Sequence, residues 1–286
     1  MRKLNVVILA AGKGERMRST KPKVLHEIMG LAMIGYVINR AQELEPSKII
    51  VVTGSGREQV EAYVQSYNVL TSVQEEQKGT AHALLTTERF LGSDDTLILY
   101  GDVPLITAET LTAFLAFYED HRSICFMTTD VVNPHGYGRV VMKDGRILAI
   151  IEEADADAHQ KQIRTINTGI CIIPGNDLAM VKKITQKKKK NEYYLTEICA
   201  VAEAEGRAVH AYFHQPSSEV LGINTQSELV DAQQTMRERI ITGHLSRGLA
   251  LIDRNVYIGT AVKIGGDCTV YPNTYLEGNT EIGERV

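Results

Sequence analysis

Short aliphatic runs alternate along the chain with segments in which apolar side chains recur every three or four positions. Val6–Ala11, Lys48–Thr53, Val69–Gln74 and Thr96–Tyr100 are such runs, each bounded by polar or glycine-containing stretches, and they read as strands. Between and after them, MIGYVINRAQEL, REQVEAYVQSY, GTAHALLTTERFL and Ala108–His121 carry helical spacing. This order predicts βαβ units and an α/β fold built on a mainly parallel sheet. SICFMTTDV continues the pattern with another strand, but GRVVMKDGRILAIIEE reads as two strands joined by a turn at KDG. The sheet is therefore expected to be mixed. INTGICIIP predicts a further strand, and YYLTEICAVAEAEG a helix closed by Gly206.

The segment VLGINTQSELVDAQQTMRERIITGHLSRGLA predicts a long, polar-faced helix suited to a connecting arm. Beyond it the periodicity changes. Ile252, Ile258, Ile264, Val270, Leu276 and Ile282 recur at every sixth position, with a second stripe at Val256, Val262, Cys268, Thr274, Thr280 and Val286. That is the hexapeptide pattern of a β-helix, in which each turn stacks an aliphatic row on the next. The pattern is still in phase at Val286, as expected of a longer solenoid whose open end would pair with other chains. Three regions follow: residues 1–224, a connecting arm at 225–250, and a hexapeptide segment at 251–286.

Composition narrows the functional classes. With 31 Lys and Arg against 35 Asp and Glu, the chain has no broad basic field for nucleic acid, so an anionic partner needs a local site. The run Lys187–Lys190 reads as a solvated loop or helix end, with attraction of phosphate as the alternative. Cys125, Cys171, Cys199 and Cys268 lie far apart without metal or disulfide spacing, which predicts a reduced, cytoplasmic setting. The apolar opening is too short and too soon charged for a signal peptide. No stretch approaches the roughly 18 apolar residues of a membrane span.

Two stretches carry chemistry. LAAGKGERM, residues 9–17, is a glycine-rich turn after a strand, where backbone N–H groups converge on phosphate oxygens. It is neither a P-loop nor the dinucleotide fingerprint, since Met17 stands where the third glycine would be. With Lys13, Arg16 and the KPKVLH segment beside it, the turn suits a triphosphate, although an ordinary surface loop would share its spacing. LILYGDVPLI brings one carboxylate, Asp102, to the expected tip of a strand. A lone carboxylate there suits Mg²⁺, which takes few protein oxygens; capping of a following helix is the plainer role.

Taken in order, LAAGKGERM with PKVLH, QKGTAHA, YGDVPL, GYGRVV, INTGI, YYLTEI and GIN resemble the motifs of the bacterial N-acetylglucosamine-1-phosphate uridylyltransferase family, whose bifunctional members make UDP-N-acetylglucosamine. The first motif alone marks the wider sugar nucleotidyltransferase class; the ordered set spans essentially the whole chain. The resemblance implies a Rossmann-like nucleotidyltransferase domain with a mixed sheet, followed by the start of a left-handed parallel β-helix. It places Leu9, Ala11, Gly12 and Gly14 around the nucleotide, and Arg16 and Lys23 at its phosphates. Gln74, Gly79 and Thr80 match the uracil reader; Gln77 aligns without a separate role. Tyr100, Gly101, Gly138, Glu152, Asn167, Tyr194 and Thr196 match the sugar side, with Glu152 rather than Glu153 at the family's spacing from Asn167. Asp102 and Asn224 match the protein ligands of Mg²⁺.

The implied partners are UTP, N-acetylglucosamine 1-phosphate, UDP-N-acetylglucosamine and pyrophosphate, with neither nucleic acid nor membrane. Two polyanions would meet at Arg16, Lys23 and Mg²⁺, and the attacking phosphate is already ionised near neutral pH, so no general base is required. His26 and His82 fall within motifs but need no proton-transfer role. The resemblance further implies a homotrimer for the full-length family and acetyl-transfer residues beyond Val286, so no acetyltransferase activity is expected from this chain. Rival readings are a nucleotidyltransferase for another hexose phosphate or dTTP, a silent regulatory subunit of the same fold, and an acyltransferase.

Overall fold

The computed structural model describes residues 3–186 and 192–286. The lysine run at 187–190 lies outside the described residues. In chain order the elements are β1 (Leu4–Leu9), β2 (Glu27–Ile28), β3 (Leu31–Ala32), α1 (Met33–Gln42), β4 (Lys48–Thr53), α2 (Arg57–Val64), β5 (Leu70–Val73), α3 (Thr80–Leu85), α4 (Glu88–Leu91), β6 (Asp95–Tyr100), α5 (Ala108–His121), β7 (Ile124–Asp130), β8 (Arg139–Lys143), β9 (Arg146–Ile151), β10 (Thr165–Ile173), α6 (Ile198–Ala204), β11 (Val209–Phe213) and α7 (Gln226–Ser246). Six two-residue strands follow, β12 (Ala250–Leu251), β13 (Tyr257–Ile258), β14 (Lys263–Ile264), β15 (Thr269–Val270), β16 (Tyr275–Leu276) and β17 (Glu281–Ile282).

The main sheet has nine strands in the order β5-β4-β1-β6-β10-β7-β11-β9-β8. Strands β5, β4, β1 and β6 are parallel, whereas β10 runs antiparallel to both β6 and β7, and β8 and β9 form an antiparallel hairpin. It is a mixed sheet in a Rossmann-like arrangement. The chain moves outward from β1 through β4 to β5 and then returns to β6 on the other side of β1. That reversal opens a crevice at the carboxyl ends of β1 and β6, the place where open α/β sheets bind ligands. Alternation along β1 serves both faces: Val6 and Ile8 pack in one core with Ile34, Val37 and Phe114, while Val7 and Leu9 pack in the other with Ala81, Leu84 and Ile198.

Three predicted elements differ. GTAHALLTTERFL forms α3 and α4 rather than one helix, because Thr86 and Thr87 turn their hydroxyls onto the carbonyls of Ala83 (2.8 Å) and Leu84 (2.6 Å). In YYLTEICAVAEAEG, Tyr193 lies outside the helix, its N–H donating to Lys78 O and its carbonyl accepting from Ala81 N–H; Tyr194 is extended, and a short 3₁₀ turn at Leu195–Glu197 leads into α6. The helix read across 220–250 occupies only Gln226–Ser246, entered through a capping box in which Thr225 and Glu228 exchange hydrogen bonds.

The hexapeptide segment forms three parallel strand pairs, β12 with β15, β13 with β16 and β14 with β17. Ile258 pairs with Leu276 and Ile264 with Ile282, one stacked layer apart. Val256, Val262 and Cys268 are buried as their stripe predicts. Ile252 and Val286 are instead exposed. Ile252 is displaced because Leu251, one residue earlier, pairs with Val270, and a one-residue shift reverses which side chain faces inward.

Candidate active site

The crevice at the ends of β1 and β6 is a cavity of about 530 Å³. Its floor and sides come from the predicted residues Leu9, Ala11, Gly12, Gly14, Lys23, Gln74, Gly79, Thr80, Tyr100, Asp102 and Tyr194. Leu9 and Tyr100 are register partners on adjacent parallel strands, so the two loops leave the sheet side by side. Gly101 does not line the cavity; it makes the turn out of β6, its N–H donating to Leu9 O at 3.0 Å.

The glycine-rich turn is held against Lys23. Gly14 has φ +65°, and a Cβ there would stand 2.6 Å from Lys23 Cβ, so glycine is required both for the left-handed backbone and for the close approach. The Lys23 ammonium donates to Asn224 Oδ1 at 2.7 Å and forms an ion pair with Asp102. Asp102 and Asn224, 79 and 201 positions further along the chain than Lys23, thereby meet at its cation. Asn224 is positioned from α7: Glu228 of the capping box accepts the N–H groups of Asn224 (2.5 Å) and Thr225 (3.1 Å). Asp102 is tied to the same loop through its carbonyl, which accepts Ile223 N–H at 2.9 Å.

An adjoining recess of about 490 Å³ is lined by Lys13, Gly14, Glu15, Arg16, Lys23, Glu192 and Asn224. Arg16 is exposed at this end and has no bonded partner among the described residues. The cations therefore gather on one side of the cavity, as a polyphosphate requires.

At the opposite end, Gln74 is buried and its Nε2 donates to Gly79 O at 2.9 Å. Gly79 has φ +96° and lies so near Tyr193 that a Cβ would approach Tyr193 O to 2.5 Å. Thr80 Oγ1 accepts Leu195 N–H at 2.9 Å, joining the start of α3 to the segment that carries Tyr194 and Thr196.

The remaining predicted residues form a second group, joined to the cavity by Tyr100 and Tyr194. Thr196 donates to Glu152 Oε1 at 2.9 Å, Gly138 lies against the same carboxylate, and Asn167 N–H donates to Gly138 O at 2.9 Å. Glu153 faces elsewhere, accepting from Arg139 (2.7 Å) and from Gly136 N–H (3.1 Å), which hold its carboxyl below the usual range. Burial, reinforced by nearby acidic groups, pushes the phenols of Tyr100 and Tyr194 upward, so both remain protonated donors.

Asp102 and Asn224 direct two oxygens at one point now held by the lysine ammonium. Such a sparse oxygen pair fits Mg²⁺, which keeps waters and phosphate oxygens as its other ligands. No cluster of three or more acidic, histidine or cysteine side chains suited to a metal occurs among the described residues. Glu192 and Glu228 were not found by inspection of the sequence. For Glu228 the T-x-x-E spacing at Thr225–Glu228 is a usable signal; Glu192 adjoins the lysine run and has no local signal.

A glycine-rich turn at a sheet reversal, with cations beside it and a lone strand-tip carboxylate opposite, is the arrangement of a nucleotidyltransferase site. Comparison with known proteins agrees, and the chain belongs to the MobA-like NTP transferase domain family, whose model matches residues 6–168. Among curated relatives, the bifunctional protein GlmU of Alkaliphilus metalliredigens is 37% identical over 99% of this chain, and that of Thermodesulfovibrio yellowstonii 39% identical over 98%. The chain spans 63% of the length of each. Two solved structures share the fold at 19% identity: a UDP-glucose pyrophosphorylase complexed with UDP-glucose (TM-score 0.64, 84% of this chain and 100% of that one) and a putative glucose-1-phosphate thymidylyltransferase from Bacillus anthracis (TM-score 0.67, 82% and 96%).

Proposed function

We propose that the chain transfers UMP from UTP to N-acetylglucosamine 1-phosphate, giving UDP-N-acetylglucosamine and pyrophosphate. The observation that carries this reading is a cavity with a buried amide and a glycine N–H at one end and Lys23 and Asp102 at the other, where Asn224 reaches Lys23 from the adjoining recess. Similarity to the two GlmU proteins supports the choice of nucleotide and sugar. A phosphate oxygen of the sugar phosphate forms a bond to the α-phosphorus while the bond to the bridging oxygen of pyrophosphate breaks. Lys23 and Arg16 offset the charge on both polyanions, and Tyr100 and Tyr194 donate from the wall between nucleotide and sugar. Glu152, held by Thr196, accepts from the sugar. Asp102 and Asn224 would hold Mg²⁺, which when bound neutralises phosphate charge and orients the two reactants. The chemistry needs no protein nucleophile. A reducing, cytoplasmic setting accords with four free, buried cysteines.

Pyrophosphate release from UTP and N-acetylglucosamine 1-phosphate with Mg²⁺, run beside Asp102→Ala, tests the proposal. Release should require both substrates and fall by about 10²–10³ in the variant. Equal release with another hexose phosphate or with dTTP would move the assignment to a neighbouring sugar nucleotidyltransferase, and folded but silent protein would sink it. Acetylation of glucosamine 1-phosphate by the chain would also revise the reading.

A further inference from the structure

Gln74 can recognise a base only if its amide is presented the right way round, and the structure contains a device that decides this. Its Nε2 lies 2.9 Å from Gly79 O and 3.0 Å from His82 Nδ1. The Gly79 carbonyl has no proton and already accepts Ala83 N–H at 3.0 Å, so the atom facing it must donate. One amide proton of Gln74 goes there. The second goes to His82 Nδ1, which must therefore be the unprotonated nitrogen, leaving the ring proton on Nε2. With both amide protons committed, Oε1 is the atom of the group left to the cavity that Gln74 lines, and it has no hydrogen-bonded partner among the described residues. The Gly79 N–H likewise donates to no partner among them.

We propose that His82 is a specificity-determining residue, which locks the Gln74 amide so that the cavity offers an acceptor, Oε1, beside a donor, Gly79 N–H. The inference rests on the nucleotide reading given above. An acceptor next to a donor matches the N3–H and adjoining carbonyl of uracil. Cytosine presents the reverse, an unprotonated N3 beside an amino group, and would set acceptor against acceptor and donor against donor. Without His82, the amide loses one of the two partners that fix its orientation, and rotation relieves the mismatch with cytosine.

The test compares kcat/KM for UTP and CTP, pyrimidines of the same size, in the wild-type chain, His82→Leu, His82→Ala and His82→Asn. Removing the ring acceptor with Leu or Ala should lower the UTP/CTP ratio by about tenfold or more, mainly through KM for UTP, with kcat little changed. Asparagine, whose side-chain oxygen can accept near the position of Nδ1, should keep the ratio within about threefold of wild type. An unchanged ratio in whichever of the Leu and Ala variants folds overturns the lock. A ratio that collapses equally in His82→Asn also overturns it, since the acceptor would then not be what matters. Wild-type protein inactive with UTP would instead count against the nucleotide assignment itself.

Discussion

Lys23 stands between two oxygens, those of Asp102 and Asn224, and its side chain is only 15% exposed. Asp102 beside it is 17% exposed, so the pair is partly sheltered yet still reached by water from the cavity. Replacing Lys23 with Met should cut turnover by about 10²–10³, the range for a preorganised charge facing a reacting phosphate, while the melting temperature changes little. A melting temperature that falls in proportion to activity would make Lys23 a structural residue. Asp102 was legible because a carboxylate after an apolar strand is conspicuous, and Lys23 because cations cluster after the glycine turn. Their meeting with Asn224 was not, since nothing local connects it to positions 201 and 122 residues earlier; the resemblance joined only Asp102 and Asn224, as ligands of one metal. The Gln74 amide illustrates a further limit. Its place three residues ahead of QKGTAHA was given by the resemblance, but the direction of its two protons depends on Gly79 O and His82 Nδ1, which only the fold brings together.

At the scale of elements, α7 does more than connect two regions. Its first turn fixes Asn224 through Glu228, and further along Arg239 reaches back to the loops carrying the two candidate metal ligands. Arg239 donates to Leu105 O at 2.6 Å, just beyond Asp102, and to Glu219 Oε1 at 3.3 Å, ahead of Asn224. Glu219 also accepts from Thr110 at 2.7 Å, near the start of α5. Arg239→Gln should raise the Mg²⁺ concentration needed for half-maximal turnover by about 3- to 10-fold, with little change at saturating Mg²⁺, because a loss of about 1 kcal/mol would loosen the ligand loops without removing a ligand. Arg239→Lys should restore part of the difference, and an identical Mg²⁺ dependence in wild type and Arg239→Gln would refute the coupling. Helix α7 was readable from its composition, but its start was misplaced because the capping box, not hydrophobic spacing, sets it. The strands were placed more closely: Lys48–Thr53 was read at its observed limits, since an uninterrupted β-branched run ending at a turn leaves little choice of boundary. GTAHALLTTERFL misled for a reason its threonines contain, since hydrogen bonding of the hydroxyls to preceding carbonyls outweighed the apolar period.

Across the whole molecule, one apolar cluster lies beneath the cationic side of the cavity. It brings together Met17 after Arg16, Leu105 after Asp102, Ile223 before Asn224, and Leu229 and Met236 from α7, with Tyr257 of the C-terminal strands packed on it. Tyr36 on α1 closes this arrangement. Its hydroxyl approaches Ile28 O at 2.7 Å and Thr260 Oγ1 at 2.6 Å, while Thr260 N–H donates to Met29 O at 2.9 Å. Burial pushes the phenol up to about 12, so it keeps its proton. That proton goes to the Ile28 carbonyl, which can only accept, and the one hydroxyl proton of Thr260 then lies between two acceptors, the phenol oxygen at 2.6 Å and Met29 O at 3.0 Å. The C-terminal strands are thus fastened to the β2–β3 hairpin by a hydroxyl pair. Tyr36→Phe should cost about 1–2 kcal/mol, as it removes both bonds, and Thr260→Val about 1 kcal/mol. Combined in one chain, the two changes should cost less than their sum, with a coupling of about 0.5–1 kcal/mol in a denaturant double-mutant cycle, because the bond between the hydroxyls is lost only once. Strict additivity would mean that each hydroxyl bonds only to its own carbonyl and that the hairpin and the C-terminal strands are held together by apolar packing alone.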